Sequence, residues 1–142
     1  MKKPDYKLIA AVIAPLLIWW FDKLTTNGLA WDAGYLKNGP AGAIALFLLI
    51  PIAEEVVFRG FLQGGLLRIV WFKQVLFGLS RANLATSCVF ALAHLWQHPL
   101  ILFPGYFAVS LVLGFFRERY GGLLVPVLLH SYYNLGLWVF AG

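Results

Sequence analysis

Two glutamates and an arginine lie inside an otherwise apolar run. Residues 41–59 read Ala-Gly-Ala-Ile-Ala-Leu-Phe-Leu-Leu-Ile-Pro-Ile-Ala-Glu-Glu-Val-Val-Phe-Arg, and Glu54, Glu55 and Arg59 are the only charges in it. On insertion scales a charge at the centre of a membrane helix costs about 2.5–3.5 kcal/mol. An apolar residue returns only about 0.3–0.6 kcal/mol. The three charges therefore offset most of what their own segment gains by entering a bilayer, and they are tolerable only if they pair or perform chemistry. Their spacing allows both. Glu55 and Arg59 are four residues apart, in the favourable order for an ion pair on one helix face. Glu54 is turned about 100° from Glu55, so it points elsewhere. A carboxylate in a poorly hydrated pocket suits general-base work on a water. A helix-locking cluster with no chemistry is the competing reading.

The rest of the chain makes a membrane setting the expectation. It is 61% hydrophobic and 12% charged, with a mean hydropathy of +0.80, against about 25% charged residues in soluble domains. Its 142 residues are read as a single integral membrane domain, 1–142, of all-α class. It is a polytopic transmembrane helical bundle of about five spans. Residues 1–40 hold an N-terminal span and linker, and 41–140 a four-helix catalytic core. Met1-Lys2-Lys3 is basic, but no small-x-small cleavage site follows the first apolar run, so no cleavable leader is expected. The single cysteine, Cys88, excludes an internal disulfide and reads as a small packing residue. The net charge of +5 is scattered, which points to topology rather than to nucleic-acid binding.

Apolar runs place the spans at roughly 8–21, 41–72, 82–97, 101–116 and 123–140. The second is too long for one straight crossing, at about 48 Å against a hydrocarbon core of about 30 Å. Pro51 and the Gly60, Gly64, Gly65 cluster offer bends, and the part from Leu66 to Phe77, with Arg68 and Lys73, suits the interface. Counted alternately, eight basic residues fall on one side (Lys2, Lys3, Lys7, Arg68, Lys73, Arg81, Arg117, Arg119) and two, Lys23 and Lys37, on the other. By the positive-inside rule the N-terminus is then cytoplasmic and the C-terminus outside.

Further polar residues sit within the spans. His94 follows Phe90 by four residues, and His130 and Asn134 are likewise one turn apart. Singly, an intramembrane histidine can be an interhelical hydrogen bond worth about 0.6 kcal/mol. Glu54, Glu55, Arg59, His94, His130 and Asn134 on three spans are harder to explain as glue. At similar depth they make a hydrolytic constellation: a carboxylate base, a histidine beside it, and donors for an oxyanion.

These residues form Glu54-Glu55-x-x-x-Arg59, Phe90-x-x-x-His94 and His130-x-x-x-Asn134, in that order. Together they resemble the CAAX-protease and bacteriocin-processing (Abi) family of glutamic-type intramembrane proteases. The resemblance covers about 41–140. It implies water-mediated peptide-bond hydrolysis within the membrane, with Glu54 activating the water, His94 assisting, and His130 and Asn134 stabilising the oxyanion. Arg59 would hold the glutamate pair, with Glu55 supporting and Phe90 shaping the pocket. Only one span precedes the core, fewer than in eukaryotic prenyl-protein endopeptidases, so prenylated substrates are not presumed. The size also resembles small members tied to C-terminal sorting anchors, including the JDVT-type system.

The expected partners are membrane lipid and a peptide or protein substrate with a membrane-proximal or C-terminal segment. No nucleic acid, cofactor or metal is expected, and a homo-oligomer stays open. The expected setting is a prokaryotic inner membrane. His98 lies four residues after His94, but His94-Leu95-Trp96-Gln97-His98 lacks the glutamate of a zinc protease helix. A metal-dependent protease is therefore a lesser alternative. A non-catalytic immunity or scaffold protein is the main one, and a small proton-relaying transporter a third. Ser110 and Gly114 read as small residues at a close helix approach, and Arg117-Glu118-Arg119 as a cytoplasmic stop with a local ion pair.

Overall fold

The computed structural model describes residues 4–26, 39–96 and 99–141. It contains five helices and one small hairpin: α1 (Tyr6–Thr26), α2 (Gly39–Leu66), β1 (Val75–Leu76), β2 (Leu79–Ser80), α3 (Arg81–His94), α4 (Phe103–Tyr120) and α5 (Leu124–Ala141). Among the described residues, two helical stretches are long and apolar enough to cross a membrane, Gly39–Leu66 and Leu100–Tyr120. The linker residues 27–38 and His98 lie outside the described residues. The chain divides into two compact units, one of residues 1–51 with 129–142 and one of 52–128.

In the first unit, prolines interrupt two helices and side chains of α5 meet the carbonyls they leave. Pro15 sits inside α1. It has no N–H to give to Ala11, four residues earlier. The Tyr133 hydroxyl donates to that carbonyl at 3.0 Å, and the adjacent Tyr132 hydroxyl donates to Val12 O at 2.8 Å. In α2, residues Ala45–Leu49 are π-helical, and the Ile50 N–H reaches back to Ala45 O. The next bond in that register would run from residue 51 to Leu46 O, but Pro51 has no N–H. Asn134 Nδ2 donates to Leu46 O at 3.1 Å instead. In hydrocarbon an unmet carbonyl costs several kcal/mol, so a substitute donor matters more than in water.

In the second unit, α2 carries a π-helical stretch, Val56–Gln63. Glu55, Arg59 and Gln63, at four-residue steps, are all fully buried. In a regular α-helix two such steps drift by about 80° around the axis. The wider π turn accommodates more residues per turn, which keeps the three side chains on one face. On α3 the buried residues are Ala82, Asn83, Thr86, Ser87, Phe90 and Ala91, one helical stripe. Cys88, expected to pack, lies off that stripe and is exposed on the chain.

Side-chain bonds clamp α3 against α4. Asn83 Nδ2 donates to Leu111 O at 3.0 Å and its Oδ1 accepts from Ser87 Oγ at 3.2 Å. Gly114 makes room for this: a Cβ there would lie 2.1 Å from Asn83 Oδ1. Ser80 caps α3, its Oγ accepting from Asn83 N–H at 2.9 Å, and donates to Glu118 Oε1 at 2.5 Å. Gln63 Nε2 donates to the same Glu118 oxygen at 2.6 Å and to Gly114 O at 3.1 Å. Glu118 thus joins α2, the start of α3 and the end of α4, a role that its reading as part of a local ion pair did not contain. Gly121, at φ +68°, ends α4 in the left-handed conformation favoured there.

The second span, expected to run to 72, ends at Leu66, and the segment beyond it is not helical throughout. It is a 3₁₀ turn at Val70–Lys73 followed by the hairpin, whose register pairs Val75 with Ser80 and Leu76 with Leu79.

Candidate active site

The two neighbouring glutamates of α2 have different surroundings. Glu55 Oε2 lies 3.2 Å from Arg59 Nε, with both side chains fully buried. The contact is an ion pair without hydrogen-bond alignment. Arg59 uses another nitrogen for directional bonds: Nη2 donates to Ser110 Oγ at 2.9 Å and to Ser110 O at 3.1 Å. Ser110 is therefore an acceptor for the guanidinium as well as a small residue, and the bonds tie α2 to α4. The guanidinium carbon also stands 4.8 Å above the Phe90 ring. A buried arginine is tolerable here because a carboxylate, two acceptors and an aromatic face surround it.

Glu54 is half-buried. Its carboxylate is close enough to act electrostatically on both Arg59 and the Tyr106 hydroxyl. Tyr106, one turn into α4, stacks on His94 with 4.4 Å between ring centroids and 30° between planes. Phe90 holds the other contact to His94, at 4.3 Å and 34°, and is itself braced edge-on by Phe58 at 5.0 Å. His94 Nδ1 lies 2.8 Å from Phe90 O. A carbonyl can only accept, so Nδ1 carries the proton, and in the neutral ring Nε2 keeps its lone pair for an outside donor.

Glu54, Glu55, Arg59, Phe90 and His94 all belong to the unit of residues 52–128, where the contacts above join Glu55, Arg59, Phe90 and His94. His130 and Asn134 belong to the other unit. There His130 is buried, at 6% exposure, and Asn134 makes its bond to Leu46 O. Sequence reading missed Tyr106. Its only signal was an aromatic residue next to a Pro-Gly pair, which is indistinguishable from ordinary packing.

A helical membrane protein with buried ionisable groups on neighbouring helices is the class these features define. A family model described as Type II CAAX prenyl endopeptidase Rce1-like matches residues 36–136, and the chain belongs to that family. Family membership and the apolar helices point to an integral membrane protein. An Escherichia coli protein described as an uncharacterized 24.3 kDa protein is 34% identical over 87 residues, covering 61% of this chain and 38% of that protein. The chain therefore matches well under half of that relative's length. No solved structure matches the chain.

Proposed function

We infer that the protein is an intramembrane endopeptidase of the glutamic type, in which Glu54 activates the hydrolytic water. The observation that carries this reading is the division between the two glutamates. Glu55 is spent on Arg59 in a buried pair, while Glu54 stays half-buried in the same unit as His94 and Tyr106. A carboxylate left partly accessible, in the unit that also holds an oriented imidazole, can reach a water and take its proton.

In the proposed reaction Glu54 takes a proton from the water as its oxygen attacks the scissile carbonyl carbon. The carbonyl oxygen becomes an oxyanion, and the role of stabilising it falls by family resemblance to His130 and Asn134. The proton then passes to the amide nitrogen as the C–N bond breaks, leaving a carboxylic acid and an amine, which pass the remaining water proton between them to become carboxylate and ammonium. His94 Nε2 accepts a hydrogen bond from the same water and keeps it aligned. Arg59 and Glu55 set the pitch of α2 so that Glu54 presents its carboxylate.

The proposed substrate is a membrane-associated or C-terminally anchored protein or peptide, in a prokaryotic inner membrane with the N-terminus of the enzyme cytoplasmic. The deciding experiment is cleavage of a quenched-fluorescent peptide library in nanodiscs, including farnesylated and unmodified C-termini, with and without a chelator. Glu54→Gln should slow cleavage by about 10²–10⁴-fold, and the chelator should leave the wild-type rate unchanged. A folded Glu54→Gln variant that cleaves at the wild-type rate would refute the mechanism. Loss of activity to the chelator would point to a metal-dependent protease instead.

A further inference from the structure

Between α2 and α3 the chain exposes more apolar surface than a connection needs. Ile69, Trp71 and Leu76 are exposed, and Val70, Val75 and Phe77 strongly so, at 76%, 69% and 95%. A two-residue strand ordinarily hides one of its two side chains, but both residues of β1 face outward. The turn at its tip has Phe77 at φ +52° and Gly78 at φ +81°. That is the left-handed pair of a tight hairpin, whose first position favours Asn, Asp or Gly. An aromatic residue rarely adopts this conformation, and here it is held in it at the most exposed point of the hairpin.

The same segment carries cations. Arg68 and Lys73 are exposed, and the Arg81 guanidinium lies 4.2 Å over the Trp71 ring. The sequence from Val56 to Arg117 contains no aspartate or glutamate. Bulky apolar groups with basic groups beside them match the layered chemistry of a lipid surface, with acyl chains beneath phosphates. The segment also leaves directly from the end of α2, one of the two helices able to cross the membrane, so such a surface is close at hand.

We propose that residues 68–81 form a wedge that seats Phe77, Val75 and Val70 in the acyl boundary of an anionic lipid surface, with Arg68, Lys73 and Arg81 on the phosphates. The occupant is the headgroup layer of an acidic phospholipid, because the basic set gains from negative lipid what a neutral surface does not give.

The test uses the full chain in a Cys88→Ser background with Val75→Cys carrying an environment-sensitive fluorophore. Vesicles are made of phosphatidylcholine alone or with phosphatidylglycerol. Quenching by aqueous acrylamide should fall, and quenching by lipid spin-labelled near the headgroup should rise, by about twofold or more when the anionic lipid is present. Arg68→Gln with Lys73→Gln should return both to their values in neutral vesicles, and Phe77→Ser should reduce the lipid quenching. Val70→Cys serves as a second reporter should the Val75 label disturb the hairpin. Equal quenching in the two kinds of vesicle would overturn the proposal. Shielding from acrylamide with no lipid quenching would also overturn it, and would place a protein surface over the tip.

Discussion

Tyr106 stacks on His94 with ring centroids 4.4 Å apart, and Phe90 contacts the same imidazole at 4.3 Å. With Nδ1 bound to Phe90 O, the ring has little freedom to turn. Tyr106→Ala should therefore lower kcat/KM by about 10- to 100-fold, the scale of a misplaced catalytic group. Tyr106→Phe keeps the stack and should stay within about threefold of wild type, the lower part of an aromatic pair's worth. Peptide cleavage rates in nanodiscs compare the two. Equal losses would mean that the hydroxyl, not the stack, matters.

Glu55 and Arg59 should be far more sensitive to single than to paired replacement. Arg59→Met takes the guanidinium away from a buried carboxylate and should cost about 3–5 kcal/mol. Glu55→Leu together with Arg59→Met removes both charges and should recover much of that loss, although Ser110 loses its guanidinium donor. Reversible denaturation in mixed micelles gives the comparison. A double variant no more stable than the single one would show that the pair is not the main element holding α2 in this unit.

Gly114→Ala should destabilise by about 1–3 kcal/mol through overpacking. The added Cβ would sit 2.1 Å from Asn83 Oδ1 and 2.6 Å from its Cγ. Asn83 cannot turn away without giving up its bond to Leu111 O. Combining Gly114→Ala with Asn83→Ala should cost less than the sum of the two single changes. Strict additivity of the measured stabilities would contradict the contact.

Asn134 has a structural duty apart from any role toward an oxyanion. Asn134→Ala should leave Leu46 O without its donor and cost about 0.6–1.7 kcal/mol, the range for hydrogen bonds between membrane helices. Pro51→Ala supplies a backbone N–H of its own, so in that background Asn134→Ala should cost measurably less. A double-mutant cycle on stability reads this coupling, and an activity assay on the same four proteins tests the proposed role toward an oxyanion. No coupling would mean that the proline does not leave the carbonyl in need.

Much of this was readable before the structure because it depends on local spacing. The four-residue step from Glu55 to Arg59 is a property of one helix, and so is the apolar run that α2 occupies. What was missed depends on partners distant in the chain or on rare backbone conformations. Nothing near Ser110 announces that its hydroxyl meets an arginine 51 residues earlier. Glu118, flanked by two arginines, invited a local pairing, and its bonds to Gln63 and Ser80 come from how α2 and α3 pack on α4. The hairpin was hidden because Phe77 occupies a turn position that sequence rules assign to Asn, Asp or Gly. The π-helical stretches have no sequence signature of their own: the first is revealed by the Ile50 N–H bond to Ala45 O, and the second accompanies the burial of Gln63 with Arg59.

The tyrosine and asparagine of α5 that meet Ala11 O and Leu46 O set a problem of timing. Synthesis completes α1 and α2 before α5 exists. Each arrives with a proline and a carbonyl whose eventual donor is still unmade. Until the last helix arrives, those oxygens must be served by water, a neighbouring chain or a chaperone, so the early helices are provisional. Removing α5 would then strand the first two helices in that provisional state and mark the chain for degradation.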